Sequence, residues 1–268
     1  DATLALLEEV MMKPKFTEDE YNRLKFSQLE SIANQVNEPT TLANNQFDKV
    51  LYGEGHIMAI PSAGTEATLG GVTLTDVQEF YEANFAPNIS NLVVVGDIEK
   101  DAILSKLAFL QSWEKKEVTY PTEPATPAAG ATKIYLVDKP DAAQSEVRLG
   151  YLSMPFDATG DYYKAKLMNF NLGGNFNSRI NQDLRENKGW TYGTYTYFSG
   201  SEHVGAFAAV GGFKREATDS AVAAYIDHLK NFSENGITDD ELTFLKSSIG
   251  QKDALKYEAG YQKTGFLN

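Results

Sequence analysis

Leu172-Gly173-Gly174-Asn175-Phe176-Asn177-Ser178-Arg179-Ile180-Asn181-Gln182-Asp183-Leu184-Arg185-Glu186-Asn187-Lys188-Gly189-Trp190-Thr191-Tyr192-Gly193 gathers glycines, amides and two arginines around a helix that turns directly into a strand. The spacing predicts a helix over Asn177 to Asn187, capped by Asn177 and closed near Gly189. Glycines at its entrance permit close backbone approach, and Arg185 in its last turn is favourably set against the helix dipole. The segment lacks the Lys-Ser/Thr of a phosphate loop and follows a helix, which argues against a nucleotide cradle.

Outward from this stretch, Lys133-Ile134-Tyr135-Leu136-Val137 reads as a strand, and Val147, Leu149 and Tyr151 alternate with polar or small residues in a second. Asp161 to Leu172 is helical, with Tyr163, Leu167 and Phe170 on one side. Tyr192 to Phe198 and Val204 to Gly211 follow as strands joined by Gly200-Ser201-Glu202-His203, and Ala217 to Glu234 returns to helix. The order describes an α+β domain with a mainly antiparallel sheet and helices layered on one face. Prolines, alanines and a glycine between Val118 and Ala131 mark a linker, dividing the chain into 1–117 and 132–268. In the first part Thr40 to Leu51 is helical. Thr73-Leu74-Thr75-Asp76 starts a helix that puts Val77, Phe80, Tyr81 and Phe85 near one face. Asn91-Leu92-Val93-Val94-Val95-Gly96-Asp97 reads as a strand, and Ile98 to Trp113 as a helix.

The two parts share a signature. Phe16-Thr17-Glu18-Asp19-Glu20-Tyr21 recurs as Ile237-Thr238-Asp239-Asp240-Glu241-Leu242, 221 residues later. In each copy a Thr stands three residues before a Glu, the pattern of a capping box in which hydroxyl and carboxylate each take one main-chain amide. Each box is preceded by an amphipathic stretch, Leu4-Leu7-Val10-Met11 and Ala221-Ala224-Tyr225-Leu229. Helix, cap and helix thus occur twice, and the expectation is two tandem domains of one design, both incomplete.

Composition narrows the chemistry. The 268 residues are 42% hydrophobic with a net charge of −13, a balance that repels phosphate backbones and makes nucleic acid an unsuitable partner. Cysteine is absent, which removes thiolate nucleophiles and Cys-based zinc sites. His56, His203 and His228 have no i, i+4 spacing, so a complete zinc site within the chain is not expected. His56, in Gly53-Glu54-Gly55-His56, reads as a solvated loop residue. No apolar run has the length of a membrane span, and Asp1 to Glu9 lack the features of an export signal.

The stretch around Arg185 resembles the pitrilysin/insulinase family of inverted-motif zinc metallopeptidases, which includes mitochondrial processing peptidase. The family pattern is met by Gly173-Gly174, Ser178-Arg179-Ile180, Leu184-Arg185-Glu186 and Gly189-Trp190-Thr191-Tyr192-Gly193. Further matches are Val137-Asp138-Lys139-Pro140 with Ala143-Gln144-Ser145, and Phe85-Ala86-Pro87-Asn88 with Leu92-Val93-Val94-Val95-Gly96-Asp97.

The resemblance implies tandem domains of the processing-peptidase type and zinc-dependent cleavage of peptides by the parent protein. The family's His-x-x-Glu-His is absent, so either it lies upstream of Asp1 or this is the zinc-less half. The family's third-ligand Glu would fall at Ala33, with Glu30 the only nearby carboxylate, which favours the zinc-less half. In such halves an Arg and a Tyr seven residues apart reach the scissile carbonyl, and the positions fall on Arg185 and Tyr192. The implied partners are a peptide substrate and a zinc-bearing half or subunit. No cofactor is assigned to this segment, which is expected to be inactive alone, and a bacterial envelope or periplasmic location is favoured. The alternative is a non-catalytic scaffold sharing the fold.

Overall fold

The computed structural model describes residues 2–122, 125–128 and 130–267, and for 252–255 the backbone alone. Asp1 and Asn268 at the ends of the two expected domains, with Glu123, Pro124 and Ala129 of the expected linker, lie outside the described residues. The chain separates into two compact units, one of Asp1–Ile32, Gly64–Thr122 and Gly250–Asn268, the other of Ala33–Ala63 and Glu123–Ile249.

The first unit is helical. It holds α1 (Ala2–Met12) and most of α2 (Glu18–Asn34), whose remainder, like α3 (Pro39–Tyr52), belongs to the second unit. It also holds α4 (Glu66–Gly71), α5 (Leu74–Asn84) and α6 (Lys100–Lys106). Thr73 caps α5 as expected, its hydroxyl accepting from Asp76 N–H at 3.1 Å while Asp76 accepts from Thr73 N–H at 2.7 Å. Tyr81 stacks on Phe85 and meets Phe16 edge-on, and Phe85 continues to Trp113. Phe80, expected near the same face, is exposed. The expected helix over Ile98 to Trp113 is shorter, because a 3₁₀ turn over Ala108–Ser112 follows α6. Asn91–Asp97 forms no strand. A strand exists only through a partner ladder, and among the described residues this unit supplies none.

The second unit contains the sheet. Its elements are β1 (Gln144–Leu152), α7 (Asp161–Asn169), a π-turn over Phe170–Gly174, then α8 (Arg179–Asn181) running on as a π-helix over Gln182–Asn187. β2 (Thr191–Phe198), β3 (Ala206–Lys214), α9 (Thr218–Asn235) and the start of α10 (Asp239–Leu255) complete it. The end of α10 and α11 (Gly260–Leu267) return to the first unit. The three strands are antiparallel in the order β1-β3-β2, with a bulge between Thr191 and Thr194. This is an α+β fold.

The core lies on one face of the sheet. Phe198, Phe207, Ala209 and Phe213 pack there against Tyr162, Leu172, Ile180, Leu184 and the Ala221, Ala224, Tyr225 and Phe232 stripe of α9. Tyr162, not Tyr163, is the buried tyrosine of α7, and its hydroxyl reaches the Phe198 carbonyl at 3.1 Å. Helices are not confined to that face. On the other, Phe47 of α3 lies over Gly150, where a Cβ would come within 2.7 Å of its ring, and Asn44 accepts from Arg148 Nε at 2.8 Å.

Lys133–Val137 is not a strand either, and Ile134 and Leu136 are 94% and 93% exposed. His56 is buried, not solvated, because its ring packs against Tyr52 and its Nδ1 accepts the Met58 N–H at 3.1 Å. The Thr238 capping box forms, with Glu241 accepting from Thr238 N–H at 2.8 Å and Thr238 from Glu241 N–H at 3.2 Å. At Thr17 the corresponding Glu20 instead binds Arg23 at 2.7 Å.

Candidate functional site

Arg185 and Tyr192 flank a helix-to-strand turn built by the residues between them. Lys188 N–H bonds Asp183 O, Gly189 N–H bonds Arg185 O, and Trp190 N–H bonds Leu184 O, so the π-helix closes on itself. Gly189 has φ +61°, a left-handed conformation that favours glycine. The chain reverses and Arg185 Nε donates to the main-chain oxygen of Tyr192 at 2.8 Å. The guanidinium carbon sits 4.6 Å from the centre of the Phe176 ring, and Nη1 donates to Glu186. Nη2 has no protein partner among the described residues. The Tyr192 side chain is 91% exposed, and its hydroxyl is likewise unengaged among the described residues.

The outward edge of β2 explains the rest of the motif. Four of its main-chain groups are taken by side chains from the preceding helical layer. Tyr192 O accepts from Arg185, Thr194 N–H donates to Asn181 Oδ1 at 3.1 Å, Thr196 O accepts from Asn169 Nδ2 at 2.8 Å, and Phe198 O accepts from Tyr162. A strand edge left bare is a template for further pairing, and these four side chains close it. The expected cap at Asn177 is absent because the N-cap position falls one residue later, on Ser178, while Asn177 N–H binds Asn175 Oδ1 at 2.7 Å. Arg179 reaches α10 and binds Glu241 through Nε and Nη2 at 2.5 and 2.6 Å, with Nη2 also on Gly236 O at 2.8 Å.

Charges nearby are paired. Asp183 Oδ2 accepts from Lys188 Nζ at 2.5 Å and lies 2.9 Å from His228 Nε2. Burial works to raise the Asp183 carboxyl, but the bonds from Lys188 and His228 outweigh it and hold it below its ordinary value. Hydrogen bonding to Arg179 holds Glu241 below its ordinary value against some burial. His56 is buried, His203 lies in the β2–β3 connection and His228 is on Asp183. Among the described residues no group of three or more His, Asp or Glu side chains is placed to hold a metal ion, and these residues do not fit zinc.

The residues 71–249 match the model of the peptidase M16 inactive domain, more than half of the chain. The chain belongs to the peptidase M16 family. An uncharacterized zinc protease of Streptomyces coelicolor is 27% identical over 249 residues, 89% of this chain and 52% of that protein. The non-peptidase homolog YmxG of Helicobacter pylori is 26% identical over 264 residues, 96% of this chain and 59% of that protein. The crystal structure of a peptidase M16 inactive domain from Pseudomonas fluorescens superposes with a TM-score of 0.87 at 25% identity, covering 99% of this chain and 63% of that one. The chain therefore spans between about half and two thirds of these M16 relatives' lengths. Residues 71–249 are thus an inactive domain of the kind found in the zinc-protease-like M16 proteins. Among the described residues no helix is long and apolar enough to cross a membrane.

The residues that motif reading passed over are Phe176, Asn169 and Asn181, together with Tyr195 and Tyr197 of β2. The signal for the last two is the period-two alternation of Thr191–Phe198, which buries Thr194 and Thr196 and turns the tyrosines outward.

Proposed function

We propose that this chain is the zinc-less half of a metalloendopeptidase and that Arg185 and Tyr192 hydrogen-bond the scissile carbonyl of a peptide held against a zinc-bearing half or subunit. The supporting observation is that Arg185 is fixed through Nε to the Tyr192 main chain while its Nη2 and the Tyr192 hydroxyl remain available. A carbonyl under attack gathers negative charge on oxygen, and a guanidinium with a phenol, oriented before the reaction, stabilises it. Phe176 and Glu186 hold the guanidinium plane, so little reorganisation is needed when that charge develops. Zinc and its water belong to the other half in this reading.

The organisation that goes with it is two tandem domains, 1–117 and 132–268, joined by 118–131. Support comes from the recurrence of a helix pair, α1–α2 and α9–α10. A scaffold role is the second reading, favoured by the similarity to a non-peptidase homolog and by the use of Arg185 to close the β2 edge. Kinetics of the complete protein separate the two. Tyr192→Phe should lower kcat by about ten- to a thousandfold with the fold intact. Arg185→Lys should act similarly, because an ammonium reproduces neither the fork nor the stacking. Unchanged turnover in both variants leaves the scaffold.

A further inference from the structure

The face of the sheet opposite the core is only half covered. α3 crosses β1 there through Phe47 and Asn44, while on β2 the same face carries Tyr195 and Tyr197, 56% and 37% exposed, with ring centres 6.1 Å apart. Asp48 follows Phe47 and lies one helical turn beyond Asn44, so it stands on the sheet-facing side of α3. Its carboxylate has no hydrogen-bond or ion-pair partner among the described residues. Neighbouring cations are engaged elsewhere: Arg148 by Glu146 at 2.9 Å and by Asn44, Lys49 by Glu54 at 2.8 Å.

We infer that Asp48, Tyr195 and Tyr197 form a subsite for the guanidinium or ammonium side chain of a polypeptide lying across β2. The inference rests on the reading that the strand carrying Tyr192 meets a peptide. The peptide does not extend the sheet at β2, since Tyr192 O, Thr194 N–H, Thr196 O and Phe198 O are already bonded. It is met by side chains, and tyrosine faces beside an unpaired carboxylate in a chain of net charge −13 select a cation. Burial raises the Asp48 carboxyl, and burial followed by the Asp48 charge raises the Tyr197 phenol. A bound cation relieves both.

The test is fluorescence anisotropy of two labelled decapeptides that differ in one central residue, arginine or its neutral isostere citrulline, titrated with this chain. The arginine peptide should bind about tenfold more tightly. Asp48→Asn should bring the ratio to unity with Tm unchanged or raised, since no partner of Asp48 is lost. Glu54→Gln, which removes a charge at the end of the same helix, should keep the preference and so exclude general attraction to the acidic surface. Equal binding of the two peptides, or a preference that survives Asp48→Asn, overturns the subsite alone. Binding of neither peptide overturns the subsite together with the peptide-contacting face on which it rests.

Discussion

A methyl group at Gly173 would meet Thr196 Oγ1 at 2.3 Å and Thr196 N at 2.7 Å, so the π-turn abuts β2 only because that position has no side chain. Gly173→Ala must push the turn off the strand that carries Tyr195 and Tyr197, and overpacking of this kind costs about 1–3 kcal/mol. Asn181 acts by hydrogen bonding instead. It is buried, accepts from Thr194 N–H and donates to Phe176 O at 2.7 Å. Asn181→Ala strips a partner from two main-chain groups, at about 1–3 kcal/mol for each left buried and unsatisfied. Asn177→Ala, four residues earlier and not a cap, should stay within about 0.5 kcal/mol of the parent. Urea unfolding of the three variants checks the order, and an Asn177→Ala loss as large as that of Asn181→Ala would contradict the assignment of the cap.

At the scale of elements, Glu241 joins two functions that are separate in sequence, the capping box of α10 and the clamp on Arg179 of α8. Its carboxyl is held below its ordinary value, so the stabilisation is complete above the unfolded-state value and is lost as pH falls through the folded one. Asp183 has the same sign. Melting temperature should therefore drop as pH falls from about 5 towards 3, and Glu241→Gln, less stable at neutral pH, should show a shallower drop that converges on the parent in acid. Parallel curves would remove Glu241 from the acid transition. The Thr238 box was legible in the sequence because cap and acid are three residues apart, whereas the Arg179 contact spans 62 residues and carries no local pattern. β1, β2 and β3 were legible from alternation and turns. Asn91–Asp97 and Lys133–Val137 have the same apolar composition but no ladder, since pairing depends on distant chain. The Arg185–Tyr192 pair stood out by motif, while Asp48 did not, because a lone acid on a helix has meaning only once the helix lies beside Tyr197.

Over the whole molecule, two opposing properties set solution behaviour. Ile134 and Leu136 are almost fully exposed in an apolar stretch without a ladder, Tyr135 and Val137 are more than half exposed, and such a segment is a template for pairing with another chain. The net charge of −13 opposes that pairing through repulsion between copies. Repulsion is long-ranged and screened by salt, its reach falling from about 10 Å at 0.1 M to about 3 Å at 1 M, whereas apolar contact persists. The chain should therefore remain monomeric at low ionic strength and self-associate as salt rises, the reverse of an assembly held by ion pairs. Introducing Ile134→Lys together with Leu136→Glu leaves the net charge unchanged and should abolish the salt-induced association. Both side chains lie outside the core, so the melting temperature should not move. Sedimentation velocity across a sodium chloride series measures the first effect, and calorimetry of the double variant the second. Association that weakens with salt, or that persists in the double variant, would place the self-interacting surface elsewhere than Lys133–Val137.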